Sequence, residues 1–584
     1  MKLIDKMINC KINDISVTVE AGTTVLDAAK KAGINIPTLC HLNLHELGAV
    51  NKSANCRVCL VENEDRGNLV PSCAEVVTEG MRIQTDTKKA VMGRRTSMEL
   101  LLSNHPKDCL ICVKNRDCEL QTLADDMNIT EIHYTGEMMS HPIDESSGAI
   151  LKDPNKCVMC RRCTTMCDDV QTIGVLSPLK RGFDVVVATA FHLDLGDTSC
   201  TYCGQCVSVC PTAALVALPQ TTSVWRRLND KERHTVVQVA PAVRVALGEM
   251  FGYKPGEIST GKIVSALKRL GFDAVFDTNF GADLTIIEEA KEFVERLENN
   301  ETLPMLTSCC PAWVQFIEHQ FPDLIDIPSS CKSPQSMVGA LSKTYYAEKK
   351  GIDPDKVRMV SVMPCVAKKA ESAREQLNKD GRKDVDFVIT TRELGRMIKE
   401  AAIDFRSLDE KPFDDLLGES TGAATIFGAT GGVIEAATRT AYEMMTGKEL
   451  KTVDFKQMRG MEGIREASLE INGRTLKIGI AHELGNARKL LEDIRQGNSR
   501  FDLIEIMACP GGCIGGGGQP YHHGDISILE KRRKALYAMD AGMKRRKSHE
   551  NEQVMKLYED FLDKPGSKKA HDLLHTSYSV KARI

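Results

Sequence analysis

Five cysteines in the second half of the chain are spaced so widely that only a fold can bring them together. Cys309 and Cys310 are adjacent, Cys365 follows a Met-Pro pair, and three residues separate Cys509 from Cys513. An ordinary ferredoxin instead binds its clusters with closely spaced cysteines. Because thiolates are preferred ligands of iron–sulfur clusters, this group indicates a catalytic metalloprotein and not a simple electron carrier.

The 584-residue chain is too long for one hydrophobic core, so we expect several domains. Its net charge of -4 excludes a general basic attraction to nucleic acid or membranes, and no apolar run has the length of a membrane span. The N-terminus has no signal-peptide core, which predicts a cytoplasmic protein. The cytosol keeps thiols reduced, so the 22 cysteines favour metal binding over disulfides.

A first metal site is predicted near the N-terminus, after short β signals over 12–19 and an amphipathic helix over 24–32. The pair Cys56 and Cys59, with one cysteine well before it and one well after it, resembles the 2Fe–2S site of plant-type ferredoxins. Fifteen residues separate the first two ligands here, so the loop differs from that of soluble ferredoxins. A zinc ribbon is the alternative. The predicted ligands are Cys40, Cys56, Cys59 and Cys73.

A second site is predicted where His105 precedes Cys109, Cys112 and Cys118. Three thiolates at this spacing can bind three corners of a 4Fe–4S cubane, with His105 as the fourth ligand. Neutral imidazole in place of thiolate makes the cluster less negative and raises its potential. The alternative is a surface histidine before Pro106. The pattern resembles the histidine-ligated site shared by complex I large subunits and modular hydrogenases.

The most specific motif is a Cys-x2-Cys-x2-Cys-x3-Cys run that occurs twice, as in bacterial two-cluster ferredoxins. The fourth cysteine of each run then binds the other cluster. Asp168 stands where the first run usually has a proline, at a position that shapes the turn but binds no iron. The two predicted ligand sets are Cys157, Cys160, Cys163 and Cys210 for one cubane, and Cys200, Cys203, Cys206 and Cys167 for the other.

Beyond residue 236 the chain alternates short strands and helices. Strands are predicted over 236–241, 360–363 and 503–507, and the last two run directly into the segments that contain Cys365 and Cys509. Ligand-binding residues of α/β folds collect after the C-terminal ends of strands. We therefore expect the cysteine motifs to meet at one site.

Three segments closely resemble the signatures of iron-only (FeFe) hydrogenases: Thr-Ser-Cys-Cys-Pro at 307–311, Met-Pro-Cys-Val-Ala-Lys-Lys at 363–369, and Met-Ala-Cys-Pro-Gly-Gly-Cys at 507–513. The upstream groups resemble the modular form of that family. The resemblance implies an H-cluster, a 4Fe–4S cubane joined through one cysteine sulfur to a di-iron centre with carbon monoxide, cyanide and an azadithiolate bridge. The implied ligands are Cys310, Cys365, Cys509 and Cys513, with Cys513 as the bridge.

The resemblance also implies roles for the residues around that cluster. Lys368 would pair with one cyanide, and the backbone near Pro241 would approach the other. Ala242 stands where some relatives have serine, so one hydrogen bond to cyanide would be missing. Met363 and Met507 would exclude water beside the di-iron unit. The alternatives are a solvated surface lysine and ordinary core methionines.

A proton path is predicted because Cys309 adjoins a ligand but is not needed to complete the cubane. A thiol with its ordinary pKa of about 8.5 could donate protons there. An amphipathic helix over 286–297 carries acidic side chains at one edge of its apolar stripe. The alternative for Glu292 and Arg296 is an exposed i,i+4 salt bridge. The predicted relay consists of Cys309, Glu289, Ser329, Glu292 and Arg296.

The predicted fold is multidomain, with α+β and α/β parts. A plant-type ferredoxin β-grasp, a His/Cys3 cluster domain and a bacterial two-cluster ferredoxin domain precede an α/β catalytic domain. A C-terminal segment, with a basic turn over 545–551 and an amphipathic helix over 557–562, resembles the hydrogenase small subunit fused to the large one. The predicted boundaries are 1–82, 83–126, 127–222, 223–520 and 521–584.

The predicted function is H2 oxidation and proton reduction at the H-cluster, with one 2Fe–2S and three accessory 4Fe–4S clusters as an electron wire. No Gly-x-Gly-x-x-Gly lies between a strand and a helix. We therefore expect a hetero-oligomer in which diaphorase-type flavin and iron–sulfur subunits handle NAD(H) or NADP(H), as in multimeric and electron-bifurcating hydrogenases, with free ferredoxin as the alternative. A scaffold for electron transfer, a hydrogen sensor and an iron–sulfur assembly protein are rival functions. Cys10 and Cys331 have no predicted role.

Overall fold

The computed structural model describes residues 6–299, 301–379 and 381–582. The first five residues of the predicted N-terminal domain and the last two of the predicted C-terminal segment lie outside the described residues. Within the described ranges no helix has both the length and the apolar character needed to cross a membrane. The predicted domain boundaries and the cytoplasmic location stay predictions.

The N-terminal region is a five-stranded sheet with one helix packed on it. Its elements are β1 (Met7–Ile12), β2 (Ile15–Glu20), α1 (Val25–Lys31), β3 (Leu60–Asn63), β4 (Asn68–Pro71) and β5 (Arg82–Gln84). The strand order is β2-β1-β5-β3-β4, and β1 and β5 are parallel. Ile8, Cys10 and Ile12 alternate with exposed residues along β1, as expected for a strand buried on one face. The predicted helix over 24–32 is confirmed, because Thr24 caps it by accepting from the amide of Asp27.

Two cluster-binding regions follow, and each has little regular structure. Their elements are α2 (Lys88–Ser103), α3 (Glu119–Asp126), β6 (Ile150–Lys152), α4 (Arg162–Thr165), β7 (Ser177–Leu179), β8 (Val186–Ala188), α5 (Gln205–Val209) and β9 (Leu215–Ala217). β6 pairs with β9 and β7 with β8, both antiparallel. β6 and β9 lie at opposite ends of this region, so their pairing closes it around the eight cysteines of the two runs.

The remainder of the chain forms an α/β region with two main sheets. The helices are α6 (Thr221–Leu228), α7 (Thr260–Leu270), α8 (Thr278–Glu298), α9 (Pro311–Gln320), α10 (Pro334–Leu341), α11 (Ala347–Lys350), α12 (Ala367–Glu371), α13 (Thr391–Glu400), α14 (Gly422–Thr425), α15 (Gly432–Thr446), α16 (Leu484–Arg495), α17 (Ile526–Gly542), α18 (Glu552–Leu557) and α19 (Lys568–Leu574). The strands are β10 (His234–Val239), β11 (Ala274–Asp277), β12 (Met305–Leu306), β13 (Val357–Met363), β14 (Asn378–Lys379), β15 (Arg382–Lys383), β16 (Phe387–Thr390), β17 (Ile464–Ile471), β18 (Arg474–His482) and β19 (Leu503–Met507).

The three predicted strands of this region are confirmed as β10, β13 and β19. The first sheet has the order β11-β10-β13-β16 and is parallel throughout. The second has the order β12-β19-β18-β17, with only β17 and β18 antiparallel. β10, β13 and β19 are buried along almost their whole length, as expected for parallel strands covered on both faces.

The carboxyl ends of four parallel strands lead to Pro241 and to the three cysteine motifs. β10 ends before Pro241, β12 before Cys309, β13 before Cys365 and β19 before Cys509. β10 and β13 are neighbours in one sheet, and β12 and β19 are neighbours in the other. The two sheet edges therefore bring together segments that are up to two hundred and seventy residues apart in sequence.

The C-terminal segment packs against the catalytic region through buried polar contacts. Arg532 of α17 donates to both carboxylate oxygens of Glu249, and Asn551 donates to Asp283 on α8. The predicted helix over 557–562 begins earlier than expected, at Glu552, because the Asn551 side chain accepts from the amide of Val554 and caps it. It continues as a wider turn over Tyr558–Leu562.

Candidate functional site

Four thiols from three distant segments meet at one buried cavity. Burial raises the pKa of all four thiols, and a bound metal centre is what would stabilise their thiolate forms. The donor set therefore fits an iron–sulfur cluster. The four are Cys310, Cys365, Cys509 and Cys513.

The loop that contains Cys309 and Cys310 is held in place from both sides. Cys310 is the N-cap of α9, and Pro311 occupies the first helical position, where its missing N–H costs nothing. Trp313, which is fully buried, donates from its indole N–H to the carbonyl of Thr307 at 2.9 Å. The amide of Ala508 lies 3.5 Å from the Cys310 sulfur. A thiolate of Cys310 would thus lie at a helix N-terminus, where negative charge is stabilised.

Lys368 is the cationic side chain of the cavity, as predicted, but it also has a partner that the sequence analysis did not identify. Its ammonium donates to Glu371 Oε2 at 2.8 Å and to the carbonyl of Cys309 at 3.2 Å. Burial alone would lower the pKa of Lys368, but the Glu371 carboxylate outweighs it and raises that pKa. Lys368 and Glu371 are three residues apart on α12, and this i,i+3 spacing is the feature of the sequence from which the ion pair could have been predicted.

The rest of the wall is apolar and closely packed. Pro241, Ala242, Met363 and Met507 all line the cavity, together with Phe427, which the sequence analysis missed. No motif marked Phe427, because it reaches the cavity from a separate helical segment.

A glycine in the Cys509–Cys513 turn allows this close packing. Gly512 has φ +96°, and a Cβ there would lie 2.6 Å from the amide of Thr430 and 2.9 Å from the sulfur of Met507. Both the backbone conformation and the available space therefore exclude a side chain.

Cys309 lines the same cavity and is buried. Burial, followed by the charge of Glu289, raises the pKa of its thiol well above the ordinary value. The expected ordinary thiol pKa is therefore wrong, because this buried position favours the neutral thiol. Glu289 on α8 accepts at 3.3 Å from both the amide and the hydroxyl of Ser308, the residue before Cys309.

The two oxygens of the Glu289 carboxylate differ. Oε1 accepts from Ser308, whereas Oε2 is buried without a hydrogen-bond partner among the described residues. Burial, and then the charge of Glu292, raises the pKa of Glu289 to about 8. A carboxyl with that pKa can bind and release a proton near neutral pH.

The other predicted relay residues lie together, farther from the cavity. Glu292 Oε2 accepts from the Ser329 hydroxyl at 2.9 Å, and Glu292 Oε1 accepts from Arg296 at 2.6 Å. Arg296 also donates to the carbonyl oxygens of Ile327 and Pro328. The i,i+4 pair is present, as the alternative required, but its side chains are only 12% and 16% exposed, so it is not a solvated surface bridge.

The accessory cysteines also group as predicted. Cys157, Cys160, Cys163 and Cys210 line a second buried cavity, although Cys210 comes from the other run. Burial raises the pKa values of the thiols of Cys200, Cys203 and Cys206, and the charge of Cys167 raises them further. Cys167 therefore lies close to these three thiols. All 22 cysteines are free thiols, which agrees with metal binding and not with disulfides.

The two N-terminal sites differ in exposure. The thiols of the predicted 2Fe–2S ligands Cys40, Cys56, Cys59 and Cys73 are buried and lie near enough to shift one another's pKa values. His105 has a buried Nδ1 without a hydrogen-bond partner within the described chain, and burial lowers its pKa. A neutral imidazole with an unused nitrogen fits a metal ligand. Cys109, by contrast, is exposed.

One accessory site directly adjoins the catalytic cavity. Cys203 packs in the same hydrophobic cluster as Cys365, and its thiolate contributes to the raised pKa of Cys509. Gln205 donates to the carbonyl of Gly515 at 3.1 Å. A Cβ at Gly517 would lie 2.5 Å from the carbonyl of Gly204, so the glycine run lets the two regions pack backbone to backbone.

Comparison with known families covers most of the chain. Residues 233–517 match the iron only hydrogenase large subunit, C-terminal domain, and residues 526–581 match the iron hydrogenase small subunit. Upstream, residues 5–88 match a 2Fe-2S iron-sulfur cluster binding domain, residues 94–133 the iron-sulfur binding region of NADH-ubiquinone oxidoreductase-G, and residues 156–214 a 4Fe-4S dicluster domain.

Individual relatives agree with these family matches. The chain is 56% identical to NADP-reducing hydrogenase subunit HndD of Solidesulfovibrio fructosivorans, over 99% of this chain and 100% of that one. It is 39% identical to iron hydrogenase 1 of Clostridium pasteurianum, over 97% and 99%. A structure of apo FeFe-hydrogenase HydA1 from Chlamydomonas reinhardtii superimposes with a TM-score of 0.57 and 43% identity, covering 62% of this chain and all of that one. Cytosolic iron-sulfur assembly component 3 of Mus musculus is 31% identical over 65% of this chain and 82% of its own.

Proposed function

Because the chain belongs to the iron-only hydrogenase family, we propose that its buried cavity binds an H-cluster through Cys310, Cys365, Cys509 and Cys513. The protein is an oxidoreductase that interconverts H2 with protons and electrons, and it has iron–sulfur accessory domains. The observation that supports the proposal best is the convergence of these four thiols on one cavity that Cys309 and Lys368 also line.

When bound, the H-cluster supplies the redox-active di-iron centre at which 2 H+ + 2 e− ⇌ H2 takes place. The protein supplies the surroundings. The Lys368 ammonium, oriented by Glu371, would donate a charge-assisted hydrogen bond to an anionic ligand. Met363 and Met507 would exclude water from the cavity, and Pro241 and Ala242 form another part of its wall. Cys513 would provide the bridging sulfur.

We propose that protons move between the cavity and the surface through five side chains. The Cys309 thiol holds a proton at the cavity wall, and the Oε2 of Glu289 is free to accept it. Ser329 would pass a proton between the two carboxylates, because its hydroxyl donates to Glu292 and lies near enough to Glu289 to affect the pKa of that carboxyl. Arg296 holds Glu292 in place where the path reaches the partly exposed edge of α8.

The upstream ligand groups supply electrons in this proposal. They would bind one 2Fe–2S cluster and three 4Fe–4S clusters, one of them with His105 as a ligand. The position of Cys203 beside Cys365 and Cys509 supports electron entry through the cubane of the second run.

Iron content and infrared spectroscopy test the cofactor set. A sample coexpressed with the hydrogenase maturation enzymes should contain about twenty iron atoms per chain and show carbonyl and cyanide stretches. Without those enzymes the chain should contain cubanes but have no hydrogenase activity. Stoichiometric zinc in place of iron, or a loaded sample without the two stretches, contradicts the proposal.

We also propose that this chain is the hydrogenase subunit of a larger redox complex. HndD, which matches the chain from end to end, is described as a subunit of an NADP-reducing hydrogenase. By that likeness, diaphorase-type flavin and iron–sulfur subunits would exchange electrons with the N-terminal clusters, and free ferredoxin is the alternative donor. The domain boundaries given above serve as the working division of the chain.

A further inference from the structure

Three metal-binding side chains meet outside the cysteine clusters, where the C-terminal segment crosses α8. Glu292, Cys331 and His575 each place one donor atom within 4.8 Å of the other two. The Cys331 sulfur lies 3.9 Å from Glu292 Oε2 and 4.0 Å from His575 Nδ1. Two ligands of a tetrahedral zinc ion, at bond lengths of about 2.0 to 2.3 Å, lie only a few tenths of an ångström closer together than this.

Backbone pairing holds Cys331 and His575 opposite each other. The two residues form an antiparallel bridge. On either side of it, Lys332 donates its amide to the carbonyl of Leu574 at 2.7 Å, and Thr576 donates to the carbonyl of Ser330 at 2.8 Å. The juxtaposition of the thiol and the imidazole is therefore a product of main-chain hydrogen bonds and not of side-chain rotamers alone.

His575 already has the outer partner that metal-binding histidines usually have. Its Nε2 lies 3.2 Å from Glu288 Oε2, and the Tyr558 hydroxyl and the Gly566 amide both donate to the same carboxylate. A carboxylate that accepts from one ring nitrogen leaves the other, here Nδ1, with its lone pair toward the site. Nδ1 is the atom that faces Cys331 and the Ser330 hydroxyl.

Glu292 directs its Oε2 toward the site, where that oxygen accepts from the Ser330 amide at 3.1 Å. Arg296 binds Oε1 at 2.6 Å, whereas Oε2 faces the hydroxyls of Ser329 and Ser330 and the sulfur of Cys331. The Ser330 hydroxyl lies 2.8 Å from His575 Nδ1 and 3.2 Å from Glu292 Oε2. It would be displaced by a cation or become its neutral fourth ligand.

We propose that Glu292, Cys331 and His575 form a binding site for a zinc ion, separate from every iron–sulfur cluster. Thiolate, imidazole and carboxylate together favour Zn2+ over Mg2+ or Ca2+, which prefer oxygen ligands only. Binding replaces the thiol proton of Cys331, which passes to solvent. Because Glu292 belongs to the proposed proton relay, an ion bound there would also stop proton transfer. That consequence rests on the proposed function, whereas the binding site does not.

Zinc binding to the fully loaded protein tests the site. The holoenzyme, washed with chelator, is titrated anaerobically with Zn2+ against a chromophoric zinc indicator. We expect one equivalent to bind to the wild type, with one sulfur and otherwise nitrogen or oxygen neighbours in zinc-edge X-ray absorption. Cys331→Ala and His575→Gln should each weaken binding at least tenfold. Cys10→Ala and His549→Gln are the matched controls, because they remove a buried thiol and a carboxylate-paired imidazole elsewhere, and both should bind like the wild type.

Turnover measured in the same samples separates the two parts of the proposal. Bound Zn2+ should inhibit H2 evolution from a reduced dye, chelator should restore it, and His575→Gln should need at least tenfold more Zn2+ for the same loss. Binding without inhibition would support the site and contradict the relay through Glu292. No binding by the wild type, equal binding by Cys331→Ala, or a zinc environment of three or four sulfurs would overturn the site.

Discussion

Cys309 and Cys310 are adjacent in sequence, yet their surroundings give them different chemistry. Burial raises the pKa of both thiols, but Cys310 faces the amide of Ala508 at the N-terminus of a helix, which offsets part of that rise and favours its thiolate. Cys309 is buried near the negative charge of Glu289, which favours the neutral thiol and raises its pKa. A thiolate can bind metal, whereas a neutral thiol can hold and donate a proton, so the environment assigns the two roles.

Replacement of Cys309 tests the proton role. Cys309→Ala should keep the H-cluster and its infrared bands but lower H2 evolution per cluster by about 100-fold or more, because general acid–base groups contribute on that scale. Cys309→Asp should retain some activity, since a carboxyl can still exchange a proton. Cys310→Ala should instead lose the cluster, and Cys10→Ala should change neither property. A near wild-type rate per cluster in Cys309→Ala would mean that protons enter by another path.

Glu289 makes a pH-dependent contribution to stability with a defined sign. Its pKa is about 8 in the fold because of burial and the Glu292 charge, and near 4.5 when unfolded. Between these values the unfolded chain releases the proton first, so this residue lowers stability as pH rises, by on the order of 1 kcal/mol per pH unit. Below about pH 4.5 Glu289 is protonated in both the folded and the unfolded chain, so it causes no loss of stability there.

The corresponding experiment compares unfolding midpoints of the wild type and Glu289→Gln at pH 6 and pH 8.5. The wild type should lose more stability than the variant over this interval, because glutamine does not titrate. Glu289→Gln should also be nearly inactive, and Glu289→Asp should be intermediate. An equal loss of stability in both proteins would show that this carboxyl does not titrate in that range.

At the scale of elements, the catalytic site depends on turns at strand ends that tolerate no side chain. The turn after β19 presents Cys509 and Cys513 on either side of Gly512, whose φ of +96° and close neighbours Thr430 and Met507 leave no room for a Cβ. The parallel strands direct the chain toward the cavity, and the glycine turn allows the backbone to approach the cavity closely.

Gly512→Ala should therefore damage the site without unfolding the domain. Strain in the left-handed region costs about 1 to 3 kcal/mol, and the contact with the Thr430 amide requires the turn to move. We expect lower H-cluster occupancy, measured as the carbonyl and cyanide band intensity per 4Fe–4S content. Gly542→Ala, where a Cβ meets nothing within 4 Å, is the control. Full occupancy in Gly512→Ala would mean that the turn has more freedom than its geometry indicates.

At the scale of the whole molecule, the cluster-binding regions form a series that ends at the catalytic cavity. Arg162, beside Cys160 and Cys163, bonds both to Glu119 and to the carbonyl of His41. It thereby connects three of the iron–sulfur regions. Gln205 and the Gly204–Gly517 contact connect the last of them to the catalytic domain. In the proposed function, electrons would pass along this series of regions to the catalytic cavity.

The isolated chain should use a dye but not a nicotinamide. It should evolve H2 from a reduced artificial donor, because the clusters accept electrons directly. It should not reduce NAD+ or NADP+ with H2 until diaphorase subunits are added, since no dinucleotide motif is present in the sequence. Purification of the native complex identifies those subunits. Efficient NAD(P)+ reduction by the homogeneous chain alone would contradict the proposed division of labour.

The local spacing of residues in the sequence was enough to predict much of the fold and of the candidate site, and the packing of distant segments decided the rest. The paired ferredoxin runs, the strands β10, β13 and β19, and the three cysteine motifs could all be predicted, because their signals lie within a few residues of each other. The contact of Phe427 with the cavity and the meeting of Cys331 with His575 could not, because each depends on segments far apart in sequence. The raised pKa values of Cys309 and Glu289 could not be predicted either, because burial removes these groups from water only after the surrounding elements have packed.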